Sequence, residues 1–341
     1  MLASISAPPK FLQDRSAADL GRGLKIKAYE GTPPDQASDP TTPKPTPIGK
    51  DWADLAVARL IQDGANFVAG EANVKPSLNR VFVNDAESDK LGAAGYAFLD
   101  NKGGGGFSLS NTSTRDLFEG ISLLQKQPYE TWTAQQQGGF AEGISTVLHE
   151  LGHITLPAYD KKTRTSWDRH WDLNHGIEEG LTELSSAEQL PRFMKQEFGV
   201  DLPAQTADTI KNTAAYTRWT ARLTELHDLA GIDDPAAVAA AARKIGDATY
   251  PGSRNGTMAR AIADRIGGPD APAELVKDIR TNIPYYSHEI SGSRTKLRLA
   301  LQALEDHQRG NPIDWERYRA DRAKMDASIK SAWEKFKDNP W

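Results

Sequence analysis

The sequence predicts an α+β fold, in which strands occupy the first half of the chain and helices fill the second. Segments that alternate or are rich in strand-forming residues lie at 79–85, 93–100 and 107–113. Helical apolar spacing dominates from residue 115 onward. Strands followed by a long run of helices favour an α+β arrangement over the regular alternation of a parallel α/β sheet.

The amino-acid composition is that of a globular protein with no sign of a nucleic-acid function. Of the 341 residues, 38% are hydrophobic and 26% are charged, and the formal net charge is −5. Binding to a phosphate backbone would call for a basic surface, so no nucleic-acid partner is expected. The chain has no cysteine, which excludes disulfides, cysteine-based zinc ribbons and a cysteine nucleophile.

The N-terminus lacks the features of a secretory signal. Its residues, MLASISAPPKFLQDRSAADLGRG, contain no charged region followed by an apolar core. Nothing in the chain approaches the run of about eighteen apolar residues that a membrane span needs. We therefore expect a protein that is cytoplasmic or part of an assembled particle.

Three segments are predicted along the chain. Residues 1–50 read as an N-terminal arm and linker, because 31–49 is rich in Pro, Thr and Asp and has few apolar side chains; a strap pinned on the domain surface is the alternative. Residues 51–290 form the predicted main domain. Residues 291–341 form a charged helical extension with interleaved aromatic residues, which either packs on the domain or binds an assembly partner.

The individual elements follow from apolar spacing and turn residues. A first helix is expected from Asp51, its candidate N-cap. The segments 93–100 and 107–113 form a candidate hairpin across NKGGGG. Further helices are predicted at 115–125, 137–155, 175–194 with a break near Pro191, 205–230, 234–246, 256–266, 271–281, 294–309 and 313–337.

The stretch HELGH, residues 149–153, carries the main chemical signal. His149 and His153 are four residues apart in a predicted helix, so both imidazoles can reach one metal ion. Glu150 is turned by about 100° from His149, so its carboxylate reaches a water on the metal rather than the metal itself. A carboxylate in this position can act as the general base toward that water. The alternative is an ordinary helix with two histidines on one face.

A third ligand is expected on a second helix. The pattern HExxHxxGxxH fails here, because Leu156 and Tyr159 stand where Gly and His would be needed. IEEGLTEL, residues 177–184, supplies Glu179 as a metal ligand, with Glu178 as the competing choice. Glu183 lies one turn later and can orient a histidine ligand by a hydrogen bond.

HELGH followed by EEGLTE at 178–183 resembles the gluzincin class of zincin metallopeptidases, and the resemblance covers residues 51–230. It implies a small mixed or antiparallel sheet beside the active-site helix, and Zn²⁺ held by His149, His153 and Glu179. It also implies an edge strand that binds an extended peptide, and Phe107, Ser108, Leu109 and Ser110 are the residues we expect there.

Several residues are candidates for the hydrogen-bond donor that would stabilise the oxyanion. Gluzincins often use Tyr or His for this role, and Tyr216 is the first choice. Tyr250, Tyr285, Tyr286 and His288 are alternatives.

Other residues near the motifs have plainer interpretations. His170 and His175 are predicted to lie in the connection as loop or capping residues. Asp168 and Asp172 could form hydrogen bonds to the metal-ligating side chains without binding the metal themselves. GGGG at 103–106 is not a phosphate loop, because no Lys-Ser/Thr and no helix follow it.

These patterns predict a zinc-dependent metallopeptidase that acts on a protein or peptide substrate, with Glu150 as general base. Two alternatives remain: an assembly protein, such as a phage virion component, that carries a zincin domain, and a delivered effector or toxin protease.

Overall fold

The computed structural model describes residues 24–34, 42–49, 52–72, 78–90, 92–99, 105–154, 164–213, 217–229 and 254–338. Within these ranges the chain forms one five-stranded sheet and eleven helices, with the strands before residue 111 and mostly helices after it. The predicted α+β class is confirmed. Asp51, Tyr216, Tyr250 and the helix expected at 234–246 lie outside the described residues.

The sheet is mixed and has the strand order β2-β1-β3-β5-β4. β1 pairs in parallel with β3, β3 in parallel with β5, and both outer pairs, β1–β2 and β5–β4, are antiparallel. The strands are β1 Lys27–Glu30, β2 Thr46–Pro47, β3 Leu78–Asp85, β4 Gly95–Leu99 and β5 Gly105–Ser110. The hairpin expected from 93–100 and 107–113 is therefore present as the β4–β5 pair.

The segment predicted as an arm and linker contributes to this sheet. β1 and β2 both lie within residues 1–50, and the Tyr29 ring stacks on Phe82 of β3 with centroids 5.2 Å apart. The interpretation of this segment as an arm is wrong for 27–30 and 46–47, where main-chain pairing compensates for the scarcity of apolar side chains. The pairing of 46–47 with β1 agrees with the alternative, a strap on the domain surface, for the described part of that segment. The domain boundaries at 50 and 290 stay predictions.

One face of the sheet carries the core of the first unit. Val81, Val83, Phe107 and Leu109 point to the side where three helices pack, and all four are buried. These helices are α1 Trp52–Ala72, α3 Asn111–Leu124 and α4 Ala134–Ile154, with the short α2 Ala86–Lys90 beside them. Each fully buried Leu, Ile or Phe contributes about 2 kcal/mol from apolar burial.

Buried polar contacts join three strands of the sheet at their carboxyl ends. Asp85 is fully buried and accepts hydrogen bonds from the hydroxyls of Ser108 (2.6 Å), Thr32 (2.6 Å) and Ser88 (2.9 Å) and from the N–H of Glu87 (3.0 Å). Burial by itself raises the pKa of Asp85, but these four donors outweigh it and hold the pKa below its ordinary value of 3.8. The carboxylate therefore links β1, β3 and β5.

Internal contacts divide the chain into two compact units, residues 1–158 with 185–214 and residues 159–184 with 215–341. The second unit has its own helical core, which includes Leu223, Ile262, Ile279 and Leu297. The remaining helices are α5 Arg164–Phe198, α6 Ala204–Thr213, α7 Thr217–Leu229, α8 Arg254–Gly267, α9 Ala273–Ser287, α10 Ser293–Gln308 and α11 Trp315–Asp338. No helix in the described ranges combines the length and apolar character needed to cross a membrane.

Candidate metal centre

The HELGH motif lies in the last two turns of α4. The helix begins earlier than predicted because Thr133 and Gln136 form a capping box: Thr133 Oγ1 accepts from the Gln136 N–H (3.3 Å), and Gln136 Oε1 accepts from the Thr133 N–H (3.0 Å). The T-x-x-Q pattern was readable in the sequence as a helix start. Phe140, Ile144 and Leu151 are buried and fix which face of α4 meets the core.

The two motif histidines converge. The Nε2 atoms of His149 and His153 lie 3.1 Å apart, and the two rings are inclined by 76°. Two imidazole nitrogens on one tetrahedral zinc ion are separated by about 3.3 Å, given zinc–nitrogen bonds of about 2.05 Å. The observed distance is therefore close to what a shared ion requires. His149 is buried and His153 is half-buried.

Glu179 of α5 completes a cluster with these histidines. One ligand atom from each of His149, His153 and Glu179 lies within 4.8 Å of the other two, and Glu179 is only 4% exposed. Two imidazoles and one carboxylate match the protein donor set of catalytic zinc. Calcium and magnesium prefer oxygen donors alone. The residues present therefore fit a zinc ion.

Gly180 lets α5 pack closely against α7 at the residue next to Glu179, the third member of the cluster. A Cβ atom on this glycine would lie 2.6 Å from Leu223 Cδ1 and 3.1 Å from the main-chain carbon of Trp219. Only a residue without a side chain lets α5 approach α7 this closely. Thus the glycine after Glu179, predicted as part of the E-G-x-x-E pattern, has a packing role.

Helix α5 is longer than the sequence predicts. It begins at Arg164, so the backbone of His170 and His175 is helical, and the expectation of loop or capping residues there is wrong. Pro191 lies inside the helix instead of breaking it. A proline removes one helical hydrogen bond, and here the buried side chains of Leu190, Phe193 and Met194 hold the helix through that position.

The roles predicted for the neighbouring carboxylates stay predictions. Glu150 follows His149 in α4 and is half-buried. Glu183 is buried one turn after Glu179. The side chain of Glu178, the competing ligand, lies outside the described residues, as does all of Tyr216.

Tyr286, one of the described alternatives to Tyr216, belongs to the helical core of the second unit. Burial, with the Glu225 carboxylate nearby, raises the pKa of Tyr286 to about 12. Its hydroxyl therefore stays protonated at neutral pH. His288 packs among the rings of Trp219, Trp333 and Phe336. Neither observation assigns an oxyanion donor.

The strand predicted to be the substrate-binding edge of the sheet is not an edge strand. Phe107, Ser108, Leu109 and Ser110 belong to β5, which has β3 on one side and β4 on the other, and all four residues are buried. A strand that is paired on both sides has no free main-chain groups for a peptide. The sequence revealed the two strands of the hairpin but not which of them pairs with β3.

Among the described strands, the outer one on this side of the sheet is β4. Ser110 N–H donates to Ala94 O (3.1 Å), and Gly95 is paired with Leu109 in the antiparallel register. Because antiparallel residues alternate between facing the partner strand and facing away from it, the main-chain groups of Gly95 and Ala97 point to the open side. These groups of β4 therefore make no hydrogen bond to β5.

Comparison with known proteins does not assign the chain to a family. No protein-family model, no curated protein and no solved structure matches the chain. What the structure adds to the sequence motifs is the cluster that His149, His153 and Glu179 form.

Proposed function

We propose that this protein is a zinc-dependent metallopeptidase of the gluzincin type. The observation that carries the proposal is the convergence of His149, His153 and Glu179, whose ligand atoms lie within 4.8 Å of one another. When bound there, zinc would supply a Lewis acid that activates water and polarises the scissile carbonyl.

Glu150 is the general base in this proposal. Its neighbour His149 points into the cluster, and the turn of about 100° per residue directs Glu150 beside the cluster instead of into it. There the carboxylate accepts a proton from the attacking water and passes it to the leaving amine. A carboxylate suits both transfers because it can bind and release the same proton.

The substrate would bind in an extended form along β4. The outward main-chain groups of Gly95 and Ala97 pair with a peptide by strand addition. A Cβ atom on Gly95 would lie 3.6 Å from Thr146 Cγ2 of α4, so the beginning of β4 adjoins the helix one turn before Glu150. This placement supports cleavage of a peptide held on β4.

Metal analysis tests the site itself. Wild type, Glu179→Ala and Glu188→Ala would be purified without added zinc and then equilibrated with it. We expect about one zinc per chain in wild type and in Glu188→Ala, an exposed carboxylate of the same helix, and a large loss in Glu179→Ala. Wild type without zinc after equilibration would contradict the proposal.

A cleavage assay tests the reaction. Zinc-loaded wild type and Glu150→Gln would be incubated with a complex peptide mixture, and new termini would be identified by mass spectrometry. Wild type should produce new termini, and Glu150→Gln should keep its zinc but lose about 10²–10⁴-fold in rate. Zinc binding without cleavage would favour a structural metal. The assembly and effector roles raised from the sequence stay predictions.

A further inference from the structure

A cavity of about 410 Å³ lies beside the beginning of β4. Its walls include Ala93 and Ala94 before β4, Asp116 of α3, and Gly139, Glu142 and Thr146 of α4. Glycines and alanines make up much of this lining, so space is left where larger side chains would fill it. The volume is in the range of small-molecule pockets and exceeds what one amino-acid side chain needs.

The cavity continues the helix face that carries the proposed base. Glu142, Thr146 and Glu150 follow one another at intervals of four residues, so they form one row along α4, about 6 Å apart. Thr146 belongs both to this row and to the cavity wall, and it adjoins Gly95 of β4. A side chain of a peptide paired with β4 therefore reaches the cavity close to Glu150.

The cavity is negatively charged. Asp89, Asp116 and Glu142 line it, and none of the lining residues is Lys, Arg or His. Asp89 accepts the N–H of Asn111 (3.0 Å), and Asp116 forms an exposed ion pair with Arg115 (3.1 Å).

Of the three carboxylates in the cavity, Glu142 is the one that is available to bind a ligand. Within the described part of the chain it forms no ion pair and no side-chain hydrogen bond. A cation that entered the cavity could therefore pair with it directly.

The arrangement fits an elongated organic cation better than a metal ion. Among the described residues, only His149, His153 and Glu179 come close enough together to bind one ion, so the three carboxylates of the cavity do not form a metal site. A Lys or Arg side chain can place its aliphatic part along the small residues of the wall and its charged end near Glu142. The charge-assisted hydrogen bond that results is stronger than a neutral one.

We infer that this cavity is a specificity pocket that binds a Lys or Arg side chain of the substrate close to the cleaved bond. The inference rests on the proposed peptidase function for its biological meaning. Binding of a basic side chain can nevertheless be measured without catalysis.

The binding experiment uses zinc-loaded Glu150→Gln and a series of ten-residue peptides labelled with a fluorophore. Each peptide carries one Lys, or one norleucine as an uncharged counterpart, at successive positions. In one register, we expect Lys to bind about tenfold more tightly than norleucine. Adding Glu142→Gln should abolish most of that difference, and Glu142→Lys should favour Glu in the same register. Glu119→Gln removes a charge from α3 outside the cavity and should change nothing.

The outcomes separate this inference from the proposed function. Equal binding of the Lys and norleucine peptides, no peptide binding, or a Lys preference that survives Glu142→Gln would each overturn the pocket. A Glu142-dependent Lys preference in a protein that cleaves nothing would support the pocket and overturn the peptidase. Cleavage by wild type without enrichment of Lys or Arg near the new termini would support the peptidase and overturn the pocket.

Discussion

The Nε2 atoms of His149 and His153 lie 3.1 Å apart at the end of α4. This distance follows from their spacing of four residues, because one helical turn brings the two imidazoles to the same face. With Glu179, they form the cluster on which the functional proposal depends.

Replacing His153 by Ala should greatly weaken zinc binding. Loss of a residue that only supports a ligand typically costs 10–100-fold in affinity, so loss of a ligand should cost at least about 100-fold. Competition with a chelator would measure it. His307→Ala is the matched control, because His307 contacts Asp270 O (3.2 Å) and belongs to no metal-binding cluster among the described residues. Equal affinity in both variants would refute the site.

Glu183→Ala tests the predicted orienting role. If Glu183 holds a histidine ligand in place, zinc affinity should fall about 10–100-fold although no ligand is removed. The free energy of unfolding of the zinc-free protein separates this role from packing. A loss of stability with unchanged zinc affinity would mean that Glu183 only packs.

Gly180→Ala should destabilise the protein by about 1–3 kcal/mol, because the added methyl overlaps Leu223 and the Trp219 backbone. Chemical unfolding would measure the change. Gly138→Ala is the control: it lies in α4 with no atom within 4 Å of the added Cβ, and it should be neutral or stabilising by up to about 1 kcal/mol. Equal stabilities would argue against the close approach of α5 and α7.

Ala97→Pro should weaken substrate binding without removing zinc. Proline lacks the N–H that Ala97 directs to the open side of β4, whereas the pairing with β5 does not use that group. We expect KM for a cleaved peptide to rise about tenfold. Ala97→Ser keeps the N–H and should leave KM near that of wild type. An unchanged KM in Ala97→Pro, with zinc retained, would place the substrate elsewhere.

Asp85→Asn should cost about 3 kcal/mol at neutral pH, because an amide cannot accept all the bonds that the buried carboxylate receives. The lowered pKa of Asp85 means that its contribution is present above pH 3.8 and is lost as the pH falls through the folded-state value. Urea unfolding at pH 7 and pH 3 should therefore show a smaller difference between variant and wild type at pH 3.

Asp201→Asn serves as the control for this series. Asp201 forms an exposed ion pair with Lys195, and its replacement should change stability by less than about 0.5 kcal/mol at pH 7. A cost for Asp85→Asn that is equally small, or one that grows at pH 3, would contradict the account of the buried carboxylate.

The sequence by itself determined the local features of this protein. The helical spacing of HELGH placed His149 and His153 together, and E-G-x-x-E pointed to Glu179, because both patterns depend on one helical turn. The hairpin was predictable for a similar reason, since alternation and a glycine-rich turn act between neighbours in the chain.

Only the tertiary structure decided the features that depend on distant parts of the chain. Which strand of the hairpin is the edge depends on pairing with β3, and this moved the expected substrate strand from Phe107–Ser110 to β4. Likewise, 27–30 was predicted as an arm, but it pairs with β3. Pro191 was predicted to break a helix, but it lies inside α5, where its neighbours are buried. The physical reason is that strand order and packing depend on contacts between segments far apart in sequence, which local propensity does not encode.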